Sequence, residues 1–211
     1  MGYVAIDVET WDRREYFDAY RGADFPYINI GAHLDVTSLL KFSDERDLSS
    51  YLALVFAAHH VAERIPNFRY RIKDGQPIMT ESMCPSFTYL PEGRELFISV
   101  TIEFVDDVLE FHERAKNAAI RQGADPGLKD HRGRYDIIMY SGVPWIQYIH
   151  IVRTIAKIGI DSNPKISWGR YFRENGRMLV PFSVQVHHGL MDGFHVGRYF
   201  EELQRYVDGL A

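Results

Sequence analysis

Three stretches of this chain place apolar residues at every second position over nine residues each, Ile28 to Val36, Leu96 to Phe104 and Met178 to Val186, and in the first two the residues between are largely polar. A period of two marks a strand with one face against an apolar layer and the other in a wetter setting. Helical periods fall between these strands without a regular strand-helix-strand rhythm. Tyr51, Leu52, Val55, His59 and Ala62 share a stripe of a helix from about Ser49 to Arg64, ended by Pro66, and Asp106 or Asp107 can cap another that runs to about Gln122. Phe194, Gly197, Phe200, Leu203 and Val207 line one side of a last helix, and apolar residues at 11, 16, 17 and 20 suggest a short docking helix near the start. Asp74-Gly75 and Asn175-Gly176 readily take positive φ and so predict two hairpins, the second between Ser167 to Arg173 and Met178 to Val186. Strand character is expected from Asp136 to Ser141, and Asp125-Pro-Gly reads as a loop. The pattern predicts an α+β sandwich in which helices cover a mixed or antiparallel sheet.

A length of 211 residues supports one substantial core, so residues 1–211 are expected to form a single domain. The 14% aromatic content suits an enclosed binding site as well as a rich core. A net charge of -5 argues against general affinity for phosphate backbones, which need Lys and Arg in excess, so no nucleic-acid partner is expected. The lone Cys84 cannot close a disulfide within the chain, no export leader is evident, and the longest apolar run, Leu52 to Ala58, is far short of a membrane span. The cytoplasm is the expected compartment, with no membrane association.

Chemistry concentrates in Gln185-Val-His-His-Gly-Leu-Met-Asp-Gly-Phe-His-Val-Gly197, which joins a strand to a helix. Continuing the strand's parity puts His188 on the face of Met178, Val180, Phe182, Val184 and Val186 and turns His187 the other way. An imidazole leaning into an apolar interior stays neutral and can act as a base near neutral pH. Asp192 before Gly193 suits an N-cap, and Gly189 and Gly193 allow the sharp turn between strand and helix. His187, His188 and His195 with Asp192 could also be read as metal ligands, but adjacent strand residues face opposite sides and reach one ion poorly. No metal is expected.

The pattern His-His-x-x-x-Asp-Gly is the signature of the CoA-dependent acyltransferases, and the run from Gln185 to Gly197 resembles the active-site segment of the chloramphenicol acetyltransferases. Trp11-Asp-Arg-Arg-Glu-Tyr-Phe17, Phe68 to Gly75 and Ser141-Gly-Val-Pro-Trp145 resemble further segments of that family, so the likeness spans nearly the whole chain. The resemblance implies a two-layer sandwich and a homotrimer with active sites at subunit interfaces, acetyl-CoA as co-substrate and a small alcohol, chloramphenicol or a related compound, as acceptor. It implies His188 as catalytic base, Ser141 as the hydroxyl on the oxyanion, Asp192 paired with Arg13 to hold the site, and Ser167 supporting the intermediate. Tyr20, Thr88, Phe97 and Arg153 match acceptor-binding positions. Ala19 and Ile28 replace aromatic residues there, Met139 replaces an asparagine, and Arg153 stands where leucine is usual, which makes another alcohol or an amine the alternative acceptor. The acyltransferase cores of 2-oxo acid dehydrogenases share the signature, but no lipoyl domain or linker is evident here. A metal hydrolase and a noncatalytic binding trimer are the readings from other classes.

Overall fold

The computed structural model describes residues 2–124, 133–156 and 161–210. In chain order the elements are β1 (Tyr3–Ala5), α1 (Arg14–Tyr20), β2 (Tyr27–Asp35), α2 (Thr37–Glu45), α3 (Ser50–Ala62), β3 (Tyr70–Lys73), β4 (Gln76–Thr80), β5 (Cys84–Tyr89), β6 (Ile98–Thr101), α4 (Val108–Gly123), β7 (Ile137–Gly142), β8 (Lys165–Trp168), β9 (Phe172–Glu174), β10 (Arg177–His187) and α5 (Gly193–Asp208). The main sheet has the order β2-β10-β8-β7-β5-β6, with β9 beside β10. Strand β7 is parallel to both β5 and β8, while the other pairs are antiparallel, so the sheet is mixed. A small sheet, β1-β4-β3, contains the hairpin at Asp74-Gly75, whose φ angles of 51° and 76° are those the turn demanded. Asn175-Gly176 turns the second hairpin, with φ of 49° and 80°.

Register divides the main sheet into two kinds of face. Val100, Phe87, Tyr140, Ile166, Val184 and Ile30 are successive cross-strand partners and belong to or pack against the main core, with α3 and α5. One residue further on, Ser99 pairs with Thr88, Ser141 with Ser167, and Ser183 with both Ser167 and Gly31. Thr88 follows the Phe87 partner of Tyr140, so these residues form a hydroxyl row across the opposite face.

Several expectations shift. Strand β6 covers only Ile98–Thr101, because its pairing with β5 ends at Tyr89 opposite Ile98; Leu96, beyond that point, is 80% exposed. Helix α3 is buried from Leu52 to Val61 except at His60, so it is a core helix rather than one with a single apolar stripe. Helix α5 buries Val196, Tyr199, Leu203 and Val207, leaving Phe194 77% exposed. Its buried face is thus rotated from the expected one, because helix phase is set by contact with β2 and α3 rather than by apolar content alone. The run from Ser167 to Arg173 splits into β8 and β9 where the backbone of Gly169 bonds Pro181. Ser49 and Asp107 cap α3 and α4 through their side chains. The Asp125-Pro-Gly loop reading falls outside the described residues.

Candidate active site

Strand pairing stops at His187, which faces Tyr27 across the ladder, and the chain then turns through His188 to Leu190. Strand parity therefore does not extend to His188. The deeply buried imidazole is His187, 1% exposed, whereas His188 is half-buried. This corrects the expectation that His188 leans into the interior: both faces of β10 are covered, and His187 occupies the polar one beside Gln185. Nδ1 of His187 accepts the Gly189 N–H at 3.2 Å, while its buried Nε2 has no partner among the described residues. Burial first, and the neighbouring His188 second, hold the His187 pKa down at about 4.

His188 lies over the ring of Tyr20, with centroids 4.0 Å apart and planes 23° from parallel. Its Nδ1 is 3.3 Å from the Met191 carbonyl. A carbonyl oxygen only accepts, so this contact requires the proton on Nδ1 and leaves the Nε2 lone pair free. The backbone is held on both sides: His188 N–H donates to the Pro26 carbonyl at 2.8 Å, and the His188 carbonyl accepts Arg13 Nη2 at 3.3 Å.

Arg13, 7% exposed, also donates through Nη1 to Asp192 Oδ2 at 2.9 Å. Oδ1 of Asp192 takes the Phe194 N–H at 3.1 Å and His195 Nδ1 at 2.7 Å, so one carboxylate caps α5 and ties it to α1. Burial would raise the Asp192 pKa, but the Arg13 and His195 contacts outweigh it and hold the carboxyl below its usual range. Among the described residues, no group of His, Cys, Asp and Glu is placed to hold a metal ion.

The hydroxyl row forms a second centre. Thr88 Oγ1 is 3.5 Å from Ser141 Oγ, and the Tyr51 hydroxyl donates to the Thr88 carbonyl at 2.8 Å. Gly142 makes this approach possible, since a Cβ there would stand 2.9 Å from the Tyr51 ring. Ser167, fully buried, accepts Arg153 Nη1 at 3.2 Å. Arg153 is fixed by its backbone as well: its N–H donates to Gln185 Oε1 at 2.8 Å and its carbonyl accepts Gln185 Nε2 at 3.3 Å. Tyr148 lies alongside, donating to the Ser167 carbonyl at 2.8 Å, and burial pushes its pKa up to about 12.

One chain does not bring these two centres together. His188 is five residues beyond Ser183, and Ser141 lies two strands across from Ser183 in the same row. At about 3.3 Å per residue and 4.8 Å per strand, the separation is roughly 15–20 Å. Tyr20 belongs to the His188 centre, and Thr88, Ser167 and Arg153 to the Ser141 centre. Phe97 is 49% exposed, just before β6. Met139 shares the Ser141 face by parity, Ala19 is exposed, and Ile28 packs against the helix-covered core. Sequence reasoning missed Tyr51, Tyr148 and the Gln185 clamp on Arg153. Each of these contacts joins residues from different elements, and only their polar groups, set within apolar runs, hinted at them.

Solved structures share this fold. A dihydrolipoamide acetyltransferase from Azotobacter vinelandii matches 87% of this chain and 82% of its own, with 15% identity and a TM-score of 0.67. A chloramphenicol acetyltransferase structure aligns over 98% of this chain and 100% of its own at 22% identity, with a TM-score of 0.88. The chloramphenicol acetyltransferase family model matches residues 1–204, and the chain belongs to that family. Curated relatives include the chloramphenicol acetyltransferase of Escherichia coli, 28% identical over 207 residues, covering 98% of this chain and 94% of that protein. Chloramphenicol acetyltransferase 2 of Haemophilus influenzae is 29% identical over 219 residues and covers 100% and 99% of the two chains.

Proposed function

We infer that the chain transfers the acetyl group of acetyl-CoA to a hydroxyl of chloramphenicol, the substrate named for its curated relatives. The observation that carries the chemistry is the Nδ1 contact of His188 with the Met191 carbonyl beneath Tyr20, which leaves Nε2 as a free base. Nε2 removes the acceptor hydroxyl proton as the oxygen attacks the thioester carbonyl. The Ser141 hydroxyl donates to the resulting oxyanion, with Ser167 supporting it nearby. Collapse breaks the C–S bond, and the imidazolium returns its proton to the departing thiolate. Acetyl leaves on the acceptor oxygen, and CoA leaves as the free thiol.

The roughly 15–20 Å between His188 and Ser141 within one chain supports an active site completed by a second copy. His188 and Tyr20 of one protomer would meet Ser141, Thr88 and Ser167 of the next, in a homotrimer of two-layer subunits with each whole chain acting as one domain. Dependence on acetyl-CoA and a single cysteine favour the cytoplasm as the working compartment, with antibiotic resistance as the biological role. Release of CoA thiol with chloramphenicol present and absent tests the reaction. The assay should give acceptor-dependent release that His188→Ala abolishes, with the oligomer unchanged on gel filtration. Near-normal turnover by that variant would refute the role of His188.

A second reading keeps the chemistry and changes the acceptor to a different alcohol or an amine. Arg153, held on Ser167 where a neutral acceptor offers it no opposite charge, favours this reading.

A further inference from the structure

The Arg153 guanidinium is held among hydroxyl groups rather than acids. Its side chain bonds Ser167 Oγ at 3.2 Å, and among the described residues it makes no ion pair. The nearby carboxylate, Asp161, is committed to Lys165 Nζ at 2.9 Å and to the Ala156 N–H at 3.0 Å. Lys165 is itself buried, and fully buried Arg71 lies behind it, bonded to Asn163 and to the carbonyls of Phe68, Tyr70 and Ile137. Asp136 is taken by Arg134. Among the described residues the region behind the hydroxyl row therefore carries more positive than negative charge, and burial lowers the pKa of both Arg153 and Lys165. A guanidinium withdrawn from water without an opposite charge is unfavourable, and its planar fork matches a carboxylate.

Ser141 and Ser167 are register partners on adjacent strands, which puts the guanidinium roughly 5–8 Å from the Ser141 hydroxyl. Gln185 holds the Arg153 backbone from both sides, so the head group is presented from a fixed base.

We propose that Arg153 selects an acceptor alcohol that carries a carboxylate a benzene ring's length from its reacting hydroxyl, in preference to a neutral alcohol. The proposal rests on the acetyl-transfer reading and deepens it. The carboxylate pairs with the guanidinium, while the distal hydroxyl lies beside Ser141 of the same protomer and donates to His188 of its neighbour.

The test compares 4-(hydroxymethyl)benzoate, 4-(hydroxymethyl)benzamide and chloramphenicol as acceptors for the whole protein, read by CoA thiol release. Wild type should favour the benzoate over the benzamide in kcat/KM by roughly 10- to 150-fold, the range of a hydrogen bond to a charged group. In Arg153→Leu that ratio should collapse towards one, with the KM for acetyl-CoA unchanged. Arg153→Gln, which can still bond Ser167, should lose the preference too, separating charge from packing. Preference for the benzamide, an equal loss on both alcohols, or a change confined to the KM for acetyl-CoA would overturn the proposal. Turnover of neutral alcohols alone sinks this inference but leaves the acetyl-transfer reading standing, whereas transfer to none of the three removes both. Because the readout is a ratio within each variant, partial loss of folded protein does not mimic the result.

Discussion

Replacing Arg13 by Ala removes two contacts at once: the 2.9 Å ion pair with Asp192 and the 3.3 Å bond to the His188 carbonyl. Breaking a buried pair by deleting one partner costs about 3–5 kcal/mol, because the other charge is left uncompensated. Asp192 is 29% exposed and keeps the Phe194 N–H and His195, so the expected loss is smaller, about 2–3 kcal/mol. Urea unfolding at one fixed protein concentration measures this, and a double-mutant cycle with Asp192→Asn isolates the pair. The pair should also give a signature in acid. Its carboxyl is held below the usual 3.8, so the stability it contributes is complete above that pH and is lost as pH falls through the lower folded value; Arg13→Ala should flatten that fall. Loss of the His188 carbonyl contact should lower kcat as well, even in the fully folded variant. A stability within about 0.5 kcal/mol of wild type, together with a coupling of similar size, would refute the claim that this pair holds α1 to α5.

Ser141→Ala should lower kcat by about 10²- to 10³-fold in the CoA-release assay with a modest effect on acceptor KM, as expected for a donor used mainly in the transition state. His187, held near 4 against 6.5 in the unfolded chain, contributes stability present above 6.5 and lost as pH falls towards 4. About 2–4 kcal/mol should disappear across that window in urea titrations, and His187→Gln should remove most of the slope. Arg71→Leu leaves three carbonyls without their guanidinium donor and should cost about 3 kcal/mol or more by the same measurement.

Local chemistry made much of this protein legible in its sequence. Asp74-Gly75 and Asn175-Gly176 turn where their permissive backbones required, Asp107 and Asp192 cap the helices that follow them, and the strand-to-helix segment from Gln185 to Gly197 carries the signature of the family to which the chain belongs. Each of those signals is spent within a few residues of its source. The buried side of α5, the shortening of β6 and the burial of His187 rather than His188 depend on neighbours far along the chain. Parity works only while a strand remains paired, and that limit belongs to the ladder. The hydroxyl row is decided in the same way: Thr88, Ser141, Ser167 and Ser183 are scattered in sequence and become neighbours only through cross-strand register. Short-range torsional preferences thus set the elements and marked the reactive segment, while long-range pairing and packing determined which side chains share a face and left Arg153 among hydroxyls instead of acids.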